Sequence, residues 1–415
     1  MESIIYVGID VHKDTYSLCS FDMQKDIFFS QHTMKASTAN VASYLKKISE
    51  SNGNAITVCG YEADPTGYRL CLDLQQQGFN CVIMAPTSIA KTAKDKILKT
   101  DRADAQMLAR TLAYHSYKQV VLPTENILAI KEVVRLRSAV LKSCKKAKQN
   151  LLSFLLYHGI SYPGGGRESY WTVKFFTWLK TVTFASDYLT YCFEEYVSEV
   201  SRQIQRLDRL NAKLKELESD KEISEGVKKL KCISGIDTVT AVSLIAETGD
   251  FNRFKSAKEF ASYSGLIPGR HDSGLSVGNS VGITKQGNQN LRHLLVESAK
   301  SIKRATALSH GQKSRRLLAR QEGMDSEIIN YADRAALRIK SRMRKLELKG
   351  INYNKAAVAC ARELACFAWG DDDESYPVIF FNSVFSGRER SDSGIAVQKQ
   401  PSSKPVLGYF LIFRI

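Results

Sequence analysis

Four carboxylates and one serine in this 415-residue chain are spaced for chemistry at a phosphate. Asp10 closes an apolar run, Ile-Ile-Tyr-Val-Gly-Ile-Asp at 4–10, and Glu62 follows a second, Ala-Ile-Thr-Val-Cys-Gly-Tyr at 55–61. Asp101 and Asp104 stand three apart in Lys-Thr-Asp-Arg-Ala-Asp-Ala, a spacing that puts both on one face of a helix. Acids from neighbouring strand ends, joined by two from a later helix, can gather around two Mg²⁺ ions about 4 Å apart, which would align an attacking oxygen and stabilise a leaving one. Each acid also has a plainer reading. Asp101 serves equally as a helix N-cap, and Glu62 and Asp64 as turn residues before Pro65.

The serine lies in Tyr263-Ser-Gly-Leu-Ile-Pro-Gly-Arg-His-Asp-Ser-Gly274, followed by Gly282-Ile-Thr-Lys-Gln-Gly-Asn-Gln-Asn-Leu-Arg292. Glycines there let backbone approach a partner closely, and Arg270, Lys285 and Arg292 offer cations to phosphates. Ser273, between an acid and a glycine, can attack phosphorus and hold a DNA end covalently; its plainer reading is a turn or capping residue. Upstream, Leu230-Lys-Cys-Ile-Ser-Gly-Ile-Asp237 before Thr240-Ala-Val-Ser-Leu-Ile-Ala246 reads as a helix-hairpin-helix whose turn amides cradle a phosphate, or as ordinary helix packing.

The elements that must position these groups follow from hydropathy patterning. Residues 4–10, 15–22 and 26–30 predict a hairpin or meander. A helix is expected near 37–51, a buried strand at 55–61, a helix from about 66 to 77 and a strand at 81–85 closed by Pro86. Strands alternating with helices imply an α/β domain with a partly parallel sheet. Ile127, Ile130, Val134, Leu141, Cys144, Leu151 and Leu155 recur at three- and four-residue steps, as do Val197, Val200, Ile204, Leu207, Leu210, Leu214 and Leu217. These predict two long amphipathic helices, paired as an antiparallel coiled-coil arm or as part of a bundle. Between them come a loop at Pro163-Gly-Gly-Gly166 and an aromatic satellite cluster, Tyr170 to Phe184. Residues 228–370 read as mostly helical, interrupted by a Gly/Ser-rich loop at 264–288, and the composition shifts after Trp369 to an acidic run and a Ser- and Pro-bearing tail expected to be poorly ordered.

Composition narrows the function classes. Fifty-nine Lys and Arg against 43 Asp and Glu leave a formal net charge of +16, the balance of a polyanion binder. The excess is concentrated: 14 basic against 5 acidic residues over 81–150, and 13 against 5 over 301–350, two faces suited to a long or multi-part polyanion. Ordinary hydrophobic (44%) and charged (25%) fractions exclude a wholly disordered or collagenous chain. No uncharged apolar run reaches membrane-spanning length and no basic segment precedes the first apolar stretch, so neither membrane insertion nor secretion is expected. Nine scattered cysteines without a C-x-x-C pair read as small buried hydrophobes in a reducing compartment, not a zinc site.

The ordered acids, strand Asp, strand Glu and helix Asp-x-x-Asp, point to a ribonuclease-H-like nuclease core. Together with Tyr-Val-Gly-Ile-Asp-Val-His-Lys at 6–13, the Ile-Ser-Gly-Ile hairpin and Gly-Leu-Ile-Pro…Asp-Ser-Gly…Gly-Ile-Thr-Lys-Gln-Gly-Asn…Leu-Arg, they resemble the DEDD transposases of IS110-type insertion sequences over about 1–370. The resemblance implies a RuvC-like α/β domain at 1–120, a coiled-coil region with an inserted loop at 121–225 and a mainly helical transposase domain with the helix-hairpin-helix and serine loop at 226–370. The tail, 371–415, is not covered. It also implies Mg²⁺ on Asp10, Glu62, Asp101 and Asp104, Ser273 as nucleophile, and Arg270, Lys285 and Arg292 on nucleic acid. The implied partners are donor and target DNA, a structured bridge RNA that pairs with both, and further copies of the chain in a homodimer or homotetramer that brings acids and serine together. The setting is the bacterial or archaeal cytoplasm, at the nucleoid. The residue before the serine, a serine or small polar residue in many relatives, is here Asp272. Two other readings remain open: a hydrolytic, Holliday-junction-resolvase-like nuclease that needs the acids and not the serine, and a non-catalytic nucleic-acid binder.

Overall fold

Alternation along two strands decides where the acids go. In the computed structural model, which describes residues 3–63, 66–89, 100–166, 169–273, 276–308 and 312–370, and of 270–281 and 306–308 the backbone alone, the chain begins with a five-stranded mixed sheet. β1 (Ile4–Val11), β2 (Thr15–Asp22) and β3 (Ile27–Lys35) form an antiparallel meander. β4 (Ile56–Glu62) and β5 (Asn80–Met84) continue the sheet in parallel beyond β1, in the order β3-β2-β1-β4-β5. Helices α1 (Thr38–Ser51) and α2 (Arg69–Gln76) connect the later strands. Ile5, Val7, Ile9 and Val11 of β1, with Cys59 and Tyr61 of β4, pack with Val41, Leu45, Leu70 and Leu74 of these helices. The alternate residues, Tyr6 of β1 and Val58 of β4, face the opposite way, onto Ala109 and Leu112 of α3 (Asp101–Ala113).

The third strand runs to Lys35, five residues past the expected end. It lies at the sheet edge and is paired only to β2, so its second half carries Gln31, His32 and Thr33 with little burial, and an apolar-run criterion stops at Phe29.

The two long helices are α4 (Glu125–Tyr157, 33 residues) and α6 (Asp187–Glu216, 30 residues), with the short α5 (Val173–Leu179) between them. They run antiparallel. Leu214 near the end of α6 shares a core with Ile127, Ile130 and Val134 at the start of α4, while Phe193 and Val200 share another with Leu151 and Leu155 near its end. That second core includes Phe175 and Leu179, with Tyr162, Tyr170, Trp171 and Phe184 at its margin, so the aromatic stretch forms the expected satellite cluster.

The base of this pair is built into a helical body: α7 (Ser224–Lys231), α8 (Thr238–Thr248), α9 (Ala257–Tyr263), α10 (Gln289–Leu308), α11 (Arg315–Gln321), α12 (Ser326–Leu348) and α13 (Tyr353–Trp369). Its core joins Val242 and Ile245 of α8, Leu291 and Ile302 of α10, Ile339 and Met343 of α12, and the Ala- and Cys-rich face of α13. A buried carboxylate, Glu363 of α13, is bonded by Arg338 and Arg342 of α12.

The expected loop at 264–288 is instead a two-stranded antiparallel hairpin, β6 (Pro268–Ser273) and β7 (Ser276–Ile283). Its strands are rich in Gly and Ser, residue types that patterning reads as loop. Two chain segments brought back together by their flanking helices nevertheless satisfy one another's backbone groups as strands. The expected tail at 371–415 lies outside the described residues, as do Asp64 and Pro65.

Candidate metal centre and serine hairpin

Gly8 is what lets a helix lie over the acid-bearing strand. A Cβ at this position would sit 2.2 Å from the Ala105 carbonyl oxygen and 2.3 Å from the Ala109 nitrogen, both backbone atoms of α3. With hydrogen in its place, α3 crosses β1 at close range and its N-terminus arrives above Asp10. Asp10 is two residues beyond Gly8, hence on the same face of β1.

Thr100 caps α3, its hydroxyl accepting the Ala103 amide at 3.2 Å. The capping role open to Asp101 therefore belongs to Thr100, and Asp101 and Asp104 occupy the first turn, where the helix dipole favours negative charge. On the strand side, Ile9 of β1 pairs with Tyr61 of the parallel β4, so Asp10 and Glu62 follow one another on adjacent strands. Glu62 shares the α3 face with Val58 and Gly60 by the same alternation.

Among the described residues, one group of potential metal-ligating side chains is close-set: Asp10, His12 and Asp101, with ligand atoms all within 4.8 Å of one another. His12 Nε2 lies 3.2 Å from an Asp10 oxygen and 3.4 Å from an Asp101 oxygen. Glu62, one residue past the Ile9–Tyr61 pairing, and Asp104, one helical turn after Asp101, are both half-buried and are not in this group. The donor set suits a divalent cation: two carboxylates that supply charge, and an imidazole that accepts softer divalent ions than carboxylate alone favours. Patterning does not single out His12, which lies one residue past the end of β1, where strand alternation no longer fixes a side chain's face.

Ser273 ends β6, and its backbone pairs with Ser276 across the hairpin tip, while Pro268 and Ile283 pair at the base. The side chains of Arg270, Asp272 and Ser273 lie outside the described ones. The base is closely stitched. Thr284 N–H donates to Ile267, Lys285 N–H to Gly265 and Asn288 N–H to Tyr263, at 2.9, 3.2 and 3.0 Å. A Cβ on Gly287, at φ +108, would lie 2.0 Å from the Tyr263 carbonyl, so only glycine permits this closure. Arg292, expected on phosphate, directs one guanidinium nitrogen to the carbonyls of Ser264 and Lys285 at 3.1 and 3.2 Å and ties the two feet together. Lys285 is exposed.

The 232–237 turn between α7 and α8 is largely buried. Ile233 and Ile236 are fully so, a Cβ on Gly235 would meet Ile302 backbone at 2.6 Å, and Asp237 is the member that faces solvent. This burial favours the packing reading of the segment. Of the nine cysteines, eight are buried as expected and Cys192 is exposed. Burial pushes the thiols of Cys19 and Cys360 up to about 11.

Comparison with known proteins joins the two parts of the molecule. Residues 7–159 match the DEDD transposase model of the IS110 type, and residues 227–313 match the transposase IS116/IS110/IS902 family. The chain is 30% identical over 366 residues to a putative transposase, y4qE, of Sinorhizobium fredii, across 88% of this chain and 87% of that one. It is 28% identical over 350 residues to the transposase for insertion sequence element IS1533 of Leptospira borgpetersenii, across 84% and 98%. To the transposase for IS1111A of Coxiella burnetii it is 23% identical over 342 residues, across 81% and 88%. Divalent metal use follows from the DEDD family, in agreement with the acids gathered at β1 and α3. A strand-borne carboxylate met by a helix-borne one, and the glycine-closed hairpin of the helical body, thus lie in the two matched segments of an IS110-family DEDD transposase, a DNA-cutting and rejoining enzyme, and it is to this family that the chain belongs.

Proposed function

We propose that the chain excises and inserts its own insertion-sequence element by RNA-guided strand cleavage and exchange, with Asp10, Glu62, Asp101 and Asp104 as a Mg²⁺ site and Ser273 as nucleophile. The observation that carries the reading is the meeting of Asp10 with Asp101, which alternation on β1, the close approach at Gly8 and the Thr100 cap together produce. Bound Mg²⁺ would supply Lewis-acid polarisation of the scissile phosphate and neutralise its charge.

In this reading Ser273 Oγ bonds to phosphorus as the bond from phosphorus to a deoxyribose oxygen breaks. The Oγ proton passes to a basic group of the acid site, and the departing oxygen takes up a proton in its place. The phosphoester keeps the energy of the cut bond, so the reverse attack by a new strand end rejoins DNA without ATP. Arg270 and Lys285 hold the nucleic-acid backbone beside the hairpin, and Arg292 braces the hairpin itself as well as lying near the nucleic-acid phosphates. A structured bridge RNA and two DNA duplexes occupy the basic faces at 81–150 and 301–350, in a homodimer or homotetramer in which the serine of one copy meets the acids of another. The domain limits follow the same reading: a RuvC-like unit to 120, the arm to 225 and the transposase unit to 370. The setting is the cytoplasm, at the nucleoid.

The test uses purified protein, RNA transcribed from the element's flank, Mg²⁺ and end-labelled donor DNA on a denaturing gel. A covalent protein–DNA adduct that is absent in Ser273→Ala supports the reading. Cleavage without an adduct, at the same rate in Ser273→Ala, assigns the chain to hydrolysis of the resolvase type instead.

A further inference from the structure

Glu247, in the last turn of α8, is fully buried, and four side chains from two other parts of the chain converge on it. From α4, at the base of the arm, Lys131 Nζ lies 3.7 Å and Arg135 Nε 3.2 Å from its oxygens. From the start of α10, Asn288 Nδ2 donates to Oε2 at 2.8 Å and to the Glu247 carbonyl at 3.2 Å, and Asn290 Nδ2 donates to Oε1 at 3.0 Å. Both carboxylate oxygens are therefore engaged by the arm on one side and by the hairpin's exit on the other.

We propose that Glu247 is the positioning residue of the serine hairpin: it locks the hairpin's foot to the base of the helical arm. The inference rests on the serine reading above.

Asn288 is the junction. Its N–H donates to Tyr263 on the entry strand's side, its Oδ1 caps α10 by accepting the amides of Asn290 and Leu291 at 3.0 and 3.1 Å, and its Nδ2 is held by Glu247. Pro268, Ile283 and this junction form the hairpin's base, while Ser273 is at the other end of β6. Five residues of strand span about 17 Å, so a tilt of about 5° at the foot moves the tip by about 1.5 Å. A displacement of about 1 Å at a reacting atom is enough to lower a rate by about 10²-fold. Because Lys131 and Arg135 belong to the arm, the same carboxylate ties the hairpin's pose to the arm's position against α8.

The experiment exchanges donor and acceptor. Asn288→Asp keeps the cap on α10 but replaces the donor facing Glu247 with a second carboxylate. Glu247→Gln added to it presents an amide donor to that carboxylate and restores a hydrogen bond of opposite polarity. Hydrogen exchange by mass spectrometry on the full chain reads the loop, and the rate of serine–DNA adduct formation with RNA, Mg²⁺ and donor DNA reads the site. In Asn288→Asp the amides of 282–288 should exchange at least tenfold faster, and the adduct should form at least tenfold more slowly with DNA affinity within twofold; the double variant should recover both to within threefold.

Unchanged exchange and adduct rate in Asn288→Asp, or a double variant no better than it, overturns the proposal. Faster exchange with an unchanged adduct rate also overturns it, as does loss of protection throughout α12 and α13, which would mark a general role in the fold. If Ser273→Ala leaves cleavage intact, the serine reading has failed, and exchange in the single and double variants still decides whether Glu247 holds the hairpin.

Discussion

The sheet and the hairpin hold their candidate residues by opposite means. Asp10 and Asp101 sit on backbone that secondary structure places directly: a central strand buried on both faces and the capped first turn of a helix pressed on it. Ser273 stands at the end of a two-stranded hairpin whose base is stitched by single hydrogen bonds, Arg292 and a buried carboxylate. Packing makes the first rigid, while the second is as firm as its foot. Repulsion among acids needs a stiff frame, whereas in the proposed mechanism a covalently captured DNA end is carried from one strand to another, a task that a hairpin on a polar foot would suit.

The largest effect should come from the acids. Asp10→Asn should lower strand cleavage by at least about 10³-fold with little change in melting temperature, and added Mn²⁺ should raise the melting temperature of the parent chain and not that of the variant. Retained cleavage would dissolve the distinction between the two regions and turn attention to the hairpin alone.

Two strand glycines sharpen the comparison. Gly8→Ala drives a methyl into α3 backbone and should destabilise the chain by about 3 kcal/mol, with cleavage lost, because α3 must shift together with Asp101. Gly282→Ala in β7, where a Cβ meets nothing within 4 Å, should change stability by less than about 0.5 kcal/mol. Urea unfolding of both variants measures the contrast, and equal costs would contradict it.

Glu247→Gln should cost about 3 kcal/mol, since Lys131 and Arg135 lose their shared counter-charge. Burial pushes the Glu247 carboxyl up, but Asn288, Arg135 and Lys131 more than offset this and hold it below the ordinary glutamate value. With the folded pKa lowered, this stabilisation is fully present above the unfolded value of about 4.3 and is lost as pH falls through the folded one. Unfolding midpoints measured down to pH 3 should therefore show the gap between parent and Glu247→Gln closing on acidification. A gap independent of pH would remove the ionic account of the foot.

The smallest effect concerns thiols. Cys192, exposed on α6, should react with a thiol reagent at once in native protein, while the eight buried cysteines wait for unfolding, and neither region's chemistry should change. Fast modification of Cys59, Cys71 or Cys81 would show the sheet to be looser than its packing implies.

Much of this was legible in the chain for a physical reason. Short runs of apolar, aromatic and β-branched residues announced β1, β2, β4 and β5, three- and four-residue steps announced α4 and α6, and Asp101-x-x-Asp104 announced a helix face. The outer half of β3 and the whole hairpin escaped, because their strand character rests on pairing and not on burial of their own side chains. His12 was hidden because its value lies in an oxygen of Asp101, 89 positions away in sequence. Glu247 resembled any other polar residue near a helix end.

By itself, then, the sequence determined most of the elements, the strand ends at which Asp10 and Glu62 fall, and the family, because local hydropathy and motif order need no long-range information. Only the tertiary structure decided that Thr100 and not Asp101 caps α3, that Arg292 braces a hairpin, that His12 joins two acids and that Glu247 binds arm to hairpin. Each of these depends on which distant groups meet. Burial then sets the cost of leaving any of them unpaired.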